Sequence, residues 1–384
     1  MPGAAESWST VNRPQESRTA SAPAFRVYDL LPDIILKNQD DLYVRISMEM
    51  TGRKLLLIIC KDPSLPVCRA VLDACADAMS DRDPVAHVFA ITATEPGANR
   101  AFLRQHPLPF MLLSDSLRHV ARGLEIGHNL ESDPGEGACT VVLADENRRV
   151  LQIDRDLRDP ERLRALVAGL TAGPGPSPRR LARFAPVLYV PHVLEPELCD
   201  ALIRAYQGGD TEEGSVYSYD ARGGDFVVDP EIKVRRDHRI ADPGLLQTLR
   251  LRMERRVLPE IAKALTRQVT GIEEFKVVCY DGESGGHFKA HRDNLAKHMA
   301  HRRFAMTLNL NDSFEGGELR FPEYGPDLYG PAAGDAVVFS CSLLHEARPV
   351  TRGQRYVLLS FLFDEESLTL NERYRSRAGT KGQG

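Results

Sequence analysis

With 384 residues, 42% of them hydrophobic and 27% charged, the chain is long enough for two ordinary globular domains, each with its own core. Its formal net charge of -5 excludes the strongly basic balance of a nucleic-acid binder, and no apolar run reaches the length of a membrane span. Its seven cysteines are scattered, odd in number and never in a CxxC pair, which points to a reducing cytoplasm rather than a disulfide framework.

In chain order, residues 1–25 are rich in Ser, Ala and Pro, lack the apolar stretch of a signal peptide, and read as a disordered leader. Residues 26–171 form the first expected domain. Leu55–Cys60, Val88–Thr94, Phe110–Leu113 and Thr140–Ala144 read as strands, the first two as buried runs of a central sheet. Cys68–Met79 and Arg118–Leu124 carry apolar residues at helical spacing, Arg148–Ile153 reads as a hairpin partner, and Pro160–Leu170 as a closing helix. Alternation of this kind predicts an α/β sheet with helices on both faces. Residues 172–182 hold the run Ala172-Gly173-Pro174-Gly175-Pro176-Ser177-Pro178, which can neither continue a helix nor pair in a sheet, and mark a linker.

Residues 183–366 have a different texture. A helix opens at Glu195-Pro196-Glu197, with Leu198, Leu202 and Ala205 on one face, and a second runs from about Gly244 to Leu265. Short strands follow at Phe275–Tyr280, His287–Arg292, Phe304–Leu310, Glu318–Phe321, Ala336–Ser340 and Tyr356–Phe363. Helices first and strands after predict an α+β arrangement, here a jelly-roll (double-stranded β-helix) barrel backed by helices. Residues 367–384 read as a polar tail. Between the two helices, Gly208 to Ile232 is long and irregular, with Tyr217, Tyr219 and Phe226 as apolar anchors and seven acidic residues facing a single Arg222. It reads either as a lid favouring a cationic substrate or basic peptide, or as a solvated acidic surface loop.

In His291-Arg292-Asp293 the first and third side chains of a strand share a face, so His291 and Asp293 can converge while Arg292 points away. His345, just after the strand Ala336–Ser340, is the third candidate ligand. Two imidazoles and one carboxylate on one side of a metal leave positions open for a cosubstrate and oxygen, which suits Fe(II). Arg355, ten residues on, offers a guanidinium that can grip a carboxylate with two parallel hydrogen bonds. Thr307 and Asn309 share a strand face and are candidate pocket residues. His287, His298 and His301 read as loop or surface residues.

These segments resemble the prolyl 4-hydroxylase-like branch of the 2-oxoglutarate/Fe(II) dioxygenases from about Pro186 to Asp364. The motifs that carry the resemblance are Tyr280 to Asp293, Arg303 to Asn311, the double glycine in Glu315-Gly316-Gly317-Glu318, Pro331 to Phe339, and His345 to Val350 followed by Gly353 and Arg355. The resemblance implies that His291, Asp293 and His345 hold Fe(II), that Arg355 binds the far carboxylate of 2-oxoglutarate, and that L-ascorbate keeps the iron reduced. It implies hydroxylation of a small-molecule or peptidyl substrate, a prolyl or other side chain, using O2 and releasing succinate and CO2, with no nucleic acid or membrane partner. Two departures stand out. The family's tyrosine three residues before the first ligand is Phe288, and Tyr280 lies two residues further upstream than the usual aromatic; it reads either as a donor to the cosubstrate or as a half-buried core tyrosine.

Residues 28 to 170 resemble the thioredoxin-fold peroxiredoxins, carried by Leu55–Cys60 with Lys61 to Cys68, by Phe110 to Asp115 and by Thr140 to Asp145. Cys68 falls at the family's peroxide-reducing position, at a helix N-terminus that lowers a thiol pKa. The family's supporting threonine, proline and arginine are replaced by Leu65, Lys61 and Ala138. A degenerate domain is therefore expected. A thiol peroxidase acting through Cys68, or a non-enzymatic redox or oxygen sensor, are the alternatives to the dioxygenase.

Overall fold

The computed structural model describes residues 25–50, 52–80, 86–124, 139–170, 180, 183–220 and 223–369. The leader, the proline-rich linker, Ala138, and the tail beyond residue 369 lie outside the described residues. The described residues divide into two compact units, one within Thr19–Arg179 and the other within Arg180–Gly384.

The first unit runs β1 (Ile35–Asn38), β2 (Tyr43–Arg45), α1 (Ile46–Met50), β3 (Lys54–Cys60), α2 (Pro66–Ser80), β4 (Ala86–Thr92), α3 (Pro96–Gln105), β5 (Met111–Ser114), α4 (His119–Gly123), β6 (Cys139–Ala144), β7 (Val150–Leu157) and α5 (Pro160–Gly169). Its sheet has the order β2-β1-β5-β4-β3-β6-β7, with β3, β4 and β5 parallel and β6 and β7 antiparallel. The β3-α2-β4 crossover followed by the β6-β7 hairpin and α5 is the thioredoxin fold. Every residue of β3 after Lys54 is buried because both faces are covered. Leu56, Ile58 and Cys60 meet α2, α3 and α5, while Leu55, Leu57 and Ile59 meet the core that includes Ile46 and Met50 of α1. The edge strands β1 and β2 were not expected: four and three residues are too short to show a period, and Tyr43 is 75% exposed.

The second unit runs β8 (Leu188–Val190), α6 (Pro196–Gly208), β9 (Glu212–Glu213), β10 (Val216–Asp220), β11 (Gly223–Val227), β12 (Lys233–Val234), β13 (Arg236–Arg239), α7 (Pro243–Arg252), α8 (Leu258–Leu265), β14 (Gly271–Ile272), β15 (Lys276–Asp281), β16 (His287–His291), β17 (Phe304–Asn309), β18 (Phe314–Gly316), β19 (Leu319–Arg320), β20 (Leu328–Tyr329), β21 (Ala336–Ser340), β22 (His345–Ala347) and β23 (Val350–Phe363). The major sheet has the order β8-β21-β17-β23-β15-β13-β9, with β14 and β18 also on β23, and the minor sheet the order β12-β16-β22-β19-β20. Strand alternation sends Met306, Leu308, Val338 and Leu358 outward onto α6, α7 and α8, and Ala305, Val337 and Phe339 inward with Leu319 and Phe321 of the minor sheet. This is the jelly roll expected, with its helices on one outer face.

Three local features differ from the expectation, each for a physical reason. The predicted helix from Gly244 to Leu265 is interrupted at Met253–Val257 by a π-helical turn. Pro259 cannot donate its nitrogen and its ring crowds the carbonyl four residues back, so the helix widens there and restarts with the proline in its first turn. The stretch from Gly208 to Ile232 is not irregular. It contributes β9 and the hairpin β10-β11, with Tyr217 opposite Phe226. Finally, the last strand begins at Val350 rather than Tyr356, so Arg355 sits inside it. Among the described residues no helix is long and apolar enough to cross a membrane.

The helical layer is tied to the barrel by a buried ionic cluster. Arg256, fully buried, donates to Glu195 Oε1 at 2.8 Å and to the Val193 carbonyl at 2.9 Å, and Arg252 donates to Glu195 Oε2 at 3.0 Å. Replacing Arg256 with Met leaves a carbonyl and a carboxylate short of a donor, and should lower the stability of this unit by about 3 kcal/mol. Urea unfolding of the full chain, compared with wild type, measures it.

Candidate metal centre

The centre is built by strand register. In the minor sheet β16 pairs antiparallel with β22, and His291 stands directly opposite His345, with the register shifting between Phe288 and His291. Asp293 lies two residues beyond β16, its amide donating to the Cys341 carbonyl at 3.0 Å. One Asp293 oxygen lies 3.3 Å from His291 Nε2 and the other 3.3 Å from His345 Nε2. One ligand atom from each of the three residues falls within 4.8 Å of the others. The expected pair and the distant histidine are thus brought together.

Both imidazoles are oriented from behind. His291 Nδ1 is 2.8 Å from the Lys289 carbonyl and His345 Nδ1 is 3.0 Å from the Leu343 carbonyl. A carbonyl can only accept, so each Nδ1 carries a proton, and a metal replacing any proton on Nε2 would meet both rings through that nitrogen beside Asp293. Burial pushes the His345 pKa down, which favours the neutral ring that a metal requires. Burial also works against the Asp293 charge, but His345 and His291 outweigh it and hold the carboxyl well below the usual carboxylate range. Two neutral nitrogens and an ionised carboxylate, all aimed at one point, are a donor set that fits a divalent transition metal. Phe288 stacks on His291 with ring centroids 3.4 Å apart, and Phe339 meets His345 at 4.6 Å, so apolar walls fix both rings.

Arg355 is 2% exposed and stands opposite Tyr280 across β15 and β23. Its Nε and Nη2 donate to Asn309 Oδ1 at 3.1 and 2.9 Å, while Asn309 Nδ2 donates to the Pro331 carbonyl at 2.6 Å. A cavity of about 450 Å³ opens onto this pair, lined also by Asp312, Phe314, Gly317 and Glu318; the triad is not on its wall. Asn309 is therefore a pocket residue. Thr307 is buried but does not line this cavity. Tyr280 is 4% exposed rather than half-buried, and its hydroxyl accepts from Arg235 Nη1 at 3.0 Å.

Arg235 was missed in the sequence, as were Lys233 and Asp237. Arg235 donates to Asp237 at 2.7 and 3.0 Å, and Asp237 is 6% exposed. The available signal was Lys233, Arg235 and Asp237 at alternate positions, the period-two charge pattern of an extended segment that the fold divides between β12 and β13. Of the other histidines, His287 Nδ1 faces the Gly285 carbonyl and His298 packs edge-on against Tyr217 and Phe226. His301 is no surface residue: it is 9% exposed and pairs with Glu273 at 2.9 Å, beside Arg302. Of the acidic residues that suggested a cationic substrate, Asp210, Glu212, Glu213 and Glu231 are exposed to solvent, while the side chains of residues 218–225 lie outside the described ones.

In the first unit Cys68 is fully buried in the first turn of α2. Hydrogen bonds from Cys139 and Cys60 hold its pKa well below the usual thiol range, while Cys60 and Cys139 are pushed up. The thiolate is thus supported by two neighbouring thiols in place of the family's polar residues, but no part of the side chain reaches solvent.

Residues 275–363 match the 2OG-Fe(II) oxygenase superfamily and form a domain of that kind. A PKHD-type hydroxylase of Pseudomonas putida is 36% identical over 107 residues, covering 26% of this chain and 45% of the relative. The chain thus spans less than half the length of that curated relative. Among solved structures, a Trichoplax adhaerens prolyl hydroxylase in complex with a hypoxia inducible factor peptide fragment aligns with 20% identity and a TM-score of 0.36, over 48% of this chain and 86% of the other. Peroxidoxin BcpB of Mycobacterium tuberculosis aligns with 16% identity and a TM-score of 0.34, over 38% and 99%.

The second residue of the double glycine is explained by the approach of Arg355 and Val350, the first by the Pro349 carbonyl. Gly317 has φ +75°, and a Cβ there would lie 2.9 Å from Arg355 Cδ and 2.8 Å from Val350 Cγ2. Gly317→Ala should therefore cost about 1–2 kcal/mol from the left-handed backbone alone, with Arg355 displaced in addition. Denaturant unfolding gives the first effect, and the shift of the Arg355 Nε–H resonance gives the second.

Proposed function

We propose that this chain, with its 2OG-Fe(II) oxygenase domain, is an Fe(II)- and 2-oxoglutarate-dependent dioxygenase. On this reading it hydroxylates a C–H bond of a small-molecule or peptidyl substrate, consumes O2, and releases succinate and CO2. The observation that carries it is the register of β16 and β22, which sets His291 against His345 with the Asp293 carboxylate between their Nε2 atoms. The domains are taken as residues 26–171 and 183–366.

His291, Asp293 and His345 would hold the iron, and the Nδ1 bonds to Lys289 and Leu343 keep both rings in the coordinating tautomer. When bound, the metal supplies the redox chemistry that couples decarboxylation of 2-oxoglutarate to oxidation of the substrate. Arg355 grips the far carboxylate of the cosubstrate. Asn309 fixes the plane of that guanidinium through Nε and Nη2, leaving Nη1 for the ligand. Tyr280, whose oxygen is occupied by Arg235, keeps its own O–H to donate. Burial strengthens these interactions because water cannot compete for the same donors. Thr307 packs the barrel. L-Ascorbate would serve as the reductant that returns oxidised iron to Fe(II).

Succinate release from Fe(II)-loaded full-length protein, measured against a panel of free amino acids and prolyl peptides, tests the activity. His291→Ala and His345→Ala should each abolish metal binding and turnover, and near-wild-type turnover in either would overturn the assignment. Arg355→Leu should retain metal and weaken 2-oxoglutarate by about tenfold or more, the usual loss for a hydrogen-bonded charge. An unchanged affinity would mean that another residue binds the cosubstrate.

The first unit is read as non-catalytic. A thiolate at Cys68 is stabilised, but peroxide must reach the sulfur, and Cys68 is 0% exposed. Peroxide consumption by the full chain should be slow and indifferent to Cys68→Ser. Rapid consumption that vanishes in that variant would restore the thiol peroxidase reading.

A further inference from the structure

Among the described residues, three cations gather around the Phe288 and Tyr280 rings beside the triad. Lys233 Nζ lies 4.8 Å from the centre of the Phe288 ring, Arg235 Cζ lies 5.7 Å from Phe288 and 5.8 Å from Tyr280, and Arg355 Cζ lies 5.6 Å from Tyr280. Arg235 is neutralised by the two-pronged contact with Asp237. Arg355 has the neutral Asn309 and, on the reading above, the far carboxylate of 2-oxoglutarate. Asp293 is committed to the metal.

Lys233 remains. It is 7% exposed, and its one hydrogen bond among the described residues goes to the Ser215 carbonyl at 2.8 Å. An ammonium has three N–H donors, so two are left for something else. No carboxylate comes within ion-pair distance of it among the described residues; burial, and then the nearby Arg235, pull its pKa down to about 7 against the opposing effect of Asp237 and Asp293. Among the described residues it thus has neither a contacting counter-ion nor full hydrogen bonding, and an anionic ligand would stabilise its charged form.

Its position is specific. Lys233 pairs with Phe288 across β12 and β16, and Phe288 is the ring stacked on His291. With Arg235 engaged by Asp237 and Tyr280, the Lys233 ammonium is the donor over that ring with hydrogen-bonding capacity to spare. Gly214 leaves it room, since a Cβ there would fall 2.7 Å from Lys233 Cε.

We propose that Lys233 is the anion-binding residue of the primary-substrate pocket, pairing with a carboxylate on the compound that is oxidised while 2-oxoglutarate occupies Arg355. This rests on the dioxygenase reading. The metal and Arg355 account for both carboxylates of the cosubstrate, so the anion at Lys233 must come from the second substrate. A substrate with a free carboxylate would restore full charge balance in the barrel, and its neutral amide would not.

The experiment uses full-length, Fe(II)-loaded protein saturated with 2-oxoglutarate under nitrogen, so that binding is read without turnover. N-Acetyl amino acids, each beside its carboxamide, are titrated by calorimetry. Wild type should bind the acids about tenfold or more tightly than the amides, as expected for a hydrogen bond to a desolvated charge. In Lys233→Met the preference should fall to about twofold or less on the same scale, with 2-oxoglutarate affinity retained. Lys233→Gln, which can still donate to Ser215, is the second variant should Met not fold, and must lose the preference likewise. Three results would overturn the proposal alone: no preference for acids in wild type, a preference that survives in the variants, or a loss of 2-oxoglutarate affinity in Lys233→Met, which would assign the lysine to the cosubstrate. Failure of wild type to bind 2-oxoglutarate at all would overturn the dioxygenase reading and this proposal with it.

Discussion

The constraint on which the second unit depends is the antiparallel register of β16 against β22. A slip of one residue would turn His291 or His345 to the other face of the minor sheet, because strand side chains alternate with period two. The register is held from both sides. His291 and His345 face one another, and Phe288 faces Ala347 three residues away, with an irregularity between them that resets the spacing. Asp293 is then seated from just after β21, its backbone N–H donating to the Cys341 carbonyl. Once those backbone bonds form, three donors converge on one point without any further adjustment.

The second organising force is the burial of charge. Arg235, Arg355 and Lys233 are drawn into a barrel interior where a lone cation is unfavourable, and each is handled differently. Arg235 is met by Asp237, which burial would otherwise neutralise but which Arg235 keeps ionised. Arg355 is held in orientation by a neutral amide, which fixes its geometry without cancelling its charge. Lys233 is left with a single carbonyl. The gradient from fully to barely compensated suits the roles proposed for them: scaffold, cosubstrate clamp and substrate anchor.

The first unit solves a different problem with ordinary means. Its central strand is apolar on both faces because helices cover both, and burying one such side chain contributes about 1.5–3 kcal/mol, so β3 alone anchors much of the unit. Three thiols, Cys60, Cys68 and Cys139, converge at one end of that core. Their burial stabilises the fold through packing and keeps the Cys68 sulfur from solvent.

In the sequence by itself, the two fold classes and the candidate ligand pair were legible in local pattern, continuous apolar runs for a covered sheet and a two-residue spacing on one strand face. His345 and Arg355 were legible through the family resemblance of the segments around them. The sequence also carried the proline at position 259, although only the folded helix showed that it produces a π-turn. What tertiary structure decided was partnership across long separations. Lys233 and Arg235 lie far in sequence from Tyr280 and Phe288, and all four lie far from Arg355, yet the order of strands in the two sheets brings them together. The acidity of residues 208–232 suggested a preference for cations, yet the strands that form there leave Asp210, Glu212, Glu213 and Glu231 outward while Lys233 lies buried beside Phe288. Composition counts charges but not the side of the sheet on which each one falls. That side is fixed by register, which depends on hydrogen bonds between residues many positions apart.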